Sequence, residues 1–136
     1  PGYFSFSIDR RTIPEESADE AAKEIVEFIN NVAKEIPELK VNVKVMSKFN
    51  ATVSEPTTKL VKTAVKSAKE VLGYEPATTV CIGGLDTRYF QEKGVQAITY
   101  GPGVPSTAHM ADEYIKINDM AKIAKIYARI ITKLLS

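Results

Sequence analysis

The chain holds one histidine, His109, a few residues past a Gly101-Pro102-Gly103 turn, with Asp112 and Glu113 close behind it. Neutral imidazole is a good zinc ligand, and a neighbouring carboxylate can orient it. In an open α/β sheet, ligands bind beyond the carboxyl ends of the strands, which is where this loop would fall. A catalytic zinc takes several protein ligands, so His109 and scattered carboxylates do not fill a site without a partner segment. The plain alternative is a surface histidine or a satisfied core one. A second group is Gly83-Gly84-Leu85-Asp86-Thr87-Arg88. Two glycines after an apolar strand let a backbone or ligand approach closely. Asp86 reads as a helix N-cap. Arg88 falls in a first helical turn, where the dipole disfavours a cation, so it reads either as an exposed arginine or as a bidentate grip on a carboxylate. The third group is Asp9-Arg10-Arg11 at a strand end. It reads as a surface ion pair or as an arginine aimed at a substrate carboxylate. Cys81 sits in an apolar run and reads as a buried structural thiol. No phosphate-binding glycine loop and no serine nucleophile elbow is present.

The elements that must position these groups follow from periodicity. Tyr3 to Ile8 alternates, with Phe4, Phe6 and Ile8 on one side, as a half-buried strand does. Ser17 and Glu20 form a capping box before a helix carrying Ala22, Ile25, Val26, Ile29, Val32 and Ala33, which Pro37 stops. Val41, Val43 and Val45 mark a second strand. After a crossing over residues 50–56, Pro56 and Thr57 open a helix with Leu60, Ala64, Val65, Ala68, Val71 and Leu72 on one stripe, capped by Gly73. Thr78 to Ile82 reads as a strand buried on both faces. A short helix from Asp86 through Gln91, a strand from Val95 to Tyr100, and a long helix capped by Asn118 or Asp119 complete the chain. The fold class expected is therefore α/β: strand, helix, strand first, then parallel strands joined by crossover helices.

Composition narrows the partners. Eighteen basic and 17 acidic residues leave a net charge of +1, which argues against a nucleic-acid or anionic-membrane partner. No apolar run is long enough to span a bilayer. The lone cysteine forbids an internal disulfide, and a cytoplasmic location is the simplest expectation. Pro1 leads at once into a strand-like pattern, which reads as a cut rather than a natural start.

Three segments in register resemble one family. Phe6-Ser7-Ile8-Asp9-Arg10-Arg11-Thr12-Ile13-Pro14 resembles the lid-domain "Asp-x-Arg, then a turn" segment of acetylornithine deacetylases, succinyl-diaminopimelate desuccinylases and related aminoacylases and carboxypeptidases. Gly83 to Phe90 is similar to their "Gly-Gly-Thr-Asp-x-Arg-Phe" segment. Gly101-Pro102-Gly103 with Ala108-His109 and Asp112-Glu113-Tyr114 is similar to their "Gly-Pro-Gly…Ala-His-x-x-Asn-Glu" segment. The resemblance implies a two-zinc amidohydrolase with a small α+β lid, an open two-layer sheet that usually makes the dimer. Residues 1–54 would be the second half of that lid, with Pro1 mid-domain, and 55–136 the closing segment of the catalytic domain. His109 would be the last zinc ligand, with cobalt or manganese able to substitute, and Glu113 would lie beside it. Arg10 and Arg88 would grip the carboxylate of an N-acyl amino acid or peptide, and Asn50, Gly84 and Gly101 would add substrate contacts. Leu85 replaces the family's usual threonine, so that side chain offers no polar contact.

The same resemblance marks what has no counterpart here: the His-x-Asp ligand pair, the bridging aspartate, the Glu-Glu pair whose first member would be the general base, and the lid histidine of the oxyanion site. Two readings follow. In one, the chain is a C-terminal fragment of a zinc-dependent amidohydrolase, inactive or nearly so alone and not expected to retain zinc. In the other it is a non-catalytic binding or dimerisation remnant, pairing through the Phe4 and Phe6 strand as a homodimer. A complete small enzyme of another mechanism ranks below both, since no nucleophile-base pair is evident.

Overall fold

The structure, a computed structural model, describes residues 2–81 and 83–136. Pro1 and Ile82 lie outside the described residues, and with them the expected strand's end at Ile82. The chain divides into two units, Pro1–Thr52 and Val53–Ser136.

Among the described residues there are helices and no strand, which corrects the expected α/β class, both the half lid sheet and the parallel closing segment. The alternation in Tyr3–Ile8 and Val41–Met46 and the β-branched run from Thr78 record a preference for a pleated, half-buried surface. A helix closes its hydrogen bonds within one segment, whereas a strand takes its bonds from a partner. No segment among the described residues supplies that partner. Tyr3, Phe4, Phe6 and Ile8 are all exposed, so both sides of the first alternation face solvent.

The first unit is built on helix α1, Ala18–Glu35. The Ser17 hydroxyl accepts the N–H of Glu20 at 3.4 Å, which is the serine half of the expected capping box; the return bond from the Glu20 side chain is not made among the described residues. Asp19 and Glu20 in the first turn and Lys34 in the last complement the helix dipole. Ile36, the residue before Pro37, is extended, because the proline ring excludes it from the helical region. Only Ala18 and Ala21 are buried on this helix, and Phe28 is exposed.

The second unit rests on two helices. Helix α2, Lys59–Leu72, is capped by Thr58, whose hydroxyl accepts the Val61 N–H at 3.4 Å. It therefore starts just after Pro56 and Thr57 rather than on them. Gly73 ends it in the left-handed conformation, φ 83°, with its N–H on the Lys69 carbonyl at 2.9 Å. Helix α3 is the short Thr87–Gln91. Asp86 is itself helical and its side chain makes no capping bond, contrary to the expectation from its residue type. A single 3₁₀ turn covers Pro105–Thr107. Helix α4, Ile117–Leu135, begins one residue before Asn118, with Lys116 at the cap position and no side-chain cap. Asp119 falls inside its first turn, where a carboxylate suits the dipole.

Helices α2 and α4 make the core of this unit. Ala64 and Ala68 on α2 meet Ile126 and Ile130 on α4, all four buried. Leu60, Val71, Leu72, Ile123 and Leu134 surround them, with Ile98 and Tyr100 from the intervening chain. Small residues on α2 let the branched residues of α4 close against its backbone. Fully burying one such isoleucine stabilises the fold by about 1.5–3 kcal/mol. At the rim, Glu70 accepts from Arg129 at 2.9 Å and from Lys133 at 2.7 Å. Tyr127 donates its hydroxyl to the Tyr100 carbonyl, and the two rings meet edge to face with centroids 6.5 Å apart.

Two outcomes are expected. Ser67 is wholly buried on α2 and its hydroxyl has no hydrogen-bond partner among the described residues. Removing an unsatisfied buried hydroxyl relieves about 1–3 kcal/mol of desolvation, offset in part by the packing that its oxygen provides. Ser67→Ala is therefore expected to be neutral or stabilising in urea melts, and a loss of stability would contradict the unpaired hydroxyl. The second outcome concerns pH. The hydrogen bond from Lys133 holds the Glu70 carboxyl below its ordinary value, helped by the charges of Lys133 and Arg129 and opposed by partial desolvation. A depressed folded pKa gives stability that is present above the unfolded carboxyl pKa and is lost as pH falls through the folded one. Glu70→Gln should lower the melting midpoint at pH 7 and differ less from the parent at pH 3.

Candidate functional site

Arg10 and Asn50 belong to the first unit, and both already hold partners on α1 or at its start. The Arg10 guanidinium spans Glu24 at 2.7 Å and Glu16 at 3.0 Å. The hydrogen bond to Glu24 and then that to Glu16 raise its pKa above the ordinary arginine value, so the cation stays fixed and charged. Arg11, not Arg10, takes Asp9, at 3.3 Å. Asn50 accepts the Ala18 N–H through Oδ1 at 2.9 Å, satisfying one of the amides that a helix start leaves open. Lys48 pairs with Asp19 in the same turn.

The remaining candidates lie in the second unit. Arg88, in the short α3, stacks over the ring of its neighbour Tyr89 at 4.5 Å and donates to its hydroxyl at 2.8 Å. Gly84 and Gly101 are exposed, and a Cβ built at Gly101 would meet only open space. Cys81 is exposed, with its sulfur accepting the Gly83 N–H at 3.4 Å. The expected buried thiol is corrected: with no strand pairing among the described residues, Thr78, Thr79, Val80 and Cys81 are all exposed.

His109 is exposed and sits in the left-handed region, φ 63°, as does Asp112, φ 63°. Glu113 reaches back to His109, but to its main chain: Oε2 accepts the His109 N–H at 3.0 Å. Among the described residues no three His, Cys, Asp or Glu side chains gather where they could hold a metal ion. This donor set offers one imidazole and a carboxylate already bonded to an amide, which fits at most one ligand position of a metal centre.

A network that the sequence did not announce ties this unit together. The Gln91 amide donates to the Ser54 hydroxyl and to the Ala97 carbonyl, at 3.2 Å for the latter. The groups are 37 and 6 residues apart in the chain, and their types carry no motif. No helix among the described residues is long and apolar enough to cross a membrane.

Exposed glycines, one exposed imidazole and two engaged arginines define no reaction by themselves among the described residues, but the sequence as a whole carries a family signature. The chain belongs to the peptidase family M20/M25/M40, whose profile matches residues 2–133. Among its relatives, a succinyl-diaminopimelate desuccinylase of Pseudoalteromonas atlantica is 38% identical over 78 residues, 57% of this chain and 20% of that protein. An uncharacterized metallohydrolase of Methanococcus maripaludis is 28% identical over 143 residues, 96% of this chain and 34% of that protein. A second desuccinylase, of Thioalkalivibrio sulfidiphilus, is 30% identical over 76 residues, 56% of this chain and 20% of its own. The chain thus spans between a fifth and a third of the length of these relatives. No solved structure gives a significant match. The family expected from the three motifs is the family found. Two of these relatives are named as desuccinylases and one as a metallohydrolase.

Asn50→Ala removes the acceptor of the Ala18 N–H and should cost the first unit about 1 kcal/mol, the usual effect of losing a helix-start cap. Loss of α1 helicity on urea titration, followed by circular dichroism, is the measurement; an unchanged midpoint would remove Asn50 from the helix start.

Proposed function

We propose that this chain supplies the C-terminal portion of a zinc-dependent amidohydrolase that cleaves the amide bond of an N-acyl amino acid or a dipeptide. The observation that carries the reading is the family match over residues 2–133, which takes in all three motif segments. The desuccinylase relatives favour an N-acyl substrate. His109 would contribute one zinc ligand. Arg10 and Arg88 would hold the substrate carboxylate, with Asn50, Gly84 and Gly101 near it. Residues 1–54 would be lid and dimer contact, and 55–136 the end of the catalytic domain.

Chemistry limits what this chain does by itself. Amide hydrolysis at a metal centre needs a general base and several ligands. One imidazole does not meet that need, so the chain alone is proposed to be inactive or nearly so. Arg10 is engaged by two carboxylates. A substrate carboxylate would have to displace Glu16 or Glu24, an exchange of like for like that demands good positioning rather than charge alone. A second reading, a non-catalytic dimerising remnant in the cytoplasm, draws on the exposure of Tyr3, Phe4, Phe6 and Ile8.

The test pairs the isolated chain with a chimera in which its residues 2–133 replace the corresponding stretch of the Pseudoalteromonas desuccinylase. With added zinc, the chain is expected to show no turnover of N-acetyl or N-succinyl amino acids or of dipeptides. The chimera is expected to hydrolyse the desuccinylase substrate, and His109→Ala in it should lower both zinc content and rate at least a hundred-fold, a loss on the order of 3 kcal/mol in barrier. Turnover by the isolated chain would overturn the incomplete-site reading. An inactive chimera beside a dimeric, inactive chain would favour the second reading.

A further inference from the structure

We infer that Glu113 is a positioning residue that sets the direction of the His109 side chain through the main chain, not through the imidazole. Two observations meet at this loop. First, the amides around His109 face backward: Thr107 N–H bonds the Val104 carbonyl at 2.9 Å, and Met110 N–H bonds the Thr107 carbonyl at 3.1 Å. The His109 N–H instead turns forward, to Glu113 Oε2 at 3.0 Å. Second, that reversal accompanies the left-handed conformation that His109 adopts, uncommon for a residue with a side chain although histidine takes it more readily than most. Asp112, between the two partners of that bond, is left-handed as well. Such a conformation persists only where neighbouring contacts hold it, and a charge-assisted bond from a main-chain N–H to a carboxylate is a strong contact of that kind.

The chemical consequence differs from the familiar one. A carboxylate on the far nitrogen of an imidazole fixes its tautomer and raises its basicity. A carboxylate on the amide fixes the backbone, and with it the direction of the Cα–Cβ bond, while leaving both ring nitrogens open to other partners. An acceptor oxygen suffices for this work, so a neutral amide side chain of the same length can do it. The value of a directed imidazole rests on the proposed hydrolase function. The clamp itself does not.

The experiment uses the full 136-residue chain without metal or substrate. Amide hydrogen exchange and the coupling between amide and α protons are read by NMR at Thr107, His109 and Met110. In Glu113→Ala the His109 amide is expected to exchange about ten-fold faster, the low end for a hydrogen bond to a charged group, and its coupling to leave the left-handed value. Glu113→Gln should keep most of the protection and the coupling, and Thr107 and Met110 should not change in either variant. An unprotected His109 amide in the parent chain overturns the inference. So does an unaltered amide in Glu113→Ala, loss in Glu113→Gln equal to that in Glu113→Ala, or a general loosening that also reaches Thr107 and Met110. A failed hydrolysis test in the chimera leaves these amide outcomes intact, and the reverse holds as well.

Discussion

The second unit depends on one contact, the seating of Ile126 and Ile130 of α4 on Ala64 and Ala68 of α2. Two alanines a helical turn apart make a shallow floor, and two isoleucines a turn apart fill it. The Glu70 pairings with Arg129 and Lys133 close its rim, and Tyr127 carries it to Tyr100. The loop that bears His109 lies in the stretch between these two helices, and residues 108–116 of it are exposed. Among its described residues the first unit shows no such seat: its helix buries Ala18 and Ala21.

Helices were legible in the sequence because their causes are local. Ser17, Pro37, Thr58, Gly73 and the apolar stripes each act within a turn or two of the backbone that they govern. The departures at helix starts have local causes too. Asp86 is a good capping residue by type, yet it adopts helical angles, and a cap needs an extended backbone. Asn118 and Asp119 suit a cap by type, but the helix starts ahead of them, and an acidic residue in the first turn serves the dipole equally well.

The strands were not legible in the same way, because alternation states what a segment would bury and not what it will meet. Val41, Val43 and Val45 keep their pattern with no ladder beside them among the described residues. The candidate site divides along the same line. Motif residues and their family could be recognised from order and spacing in the chain. The engagement of Arg10 by Glu16 and Glu24, the reach of Asn50 to Ala18 and the turn of Glu113 to an amide could not, since each joins groups that no motif links.

The unpaired β-prone segments differ from one another in a way that matters for how such a chain survives in solution. Around Val41–Val45 the sequence interposes Lys40, Lys44 and Lys48, and repeated like charge discourages stacking of identical segments. The run Ala77-Thr78-Thr79-Val80-Cys81 has no charge at all, is β-branched at its centre and is exposed along its whole length. It has the makings of a self-templating zipper. Self-association of this chain into fibrils would nucleate there, and the nearest natural gatekeepers, Glu75 and Asp86, stand outside the run on either side.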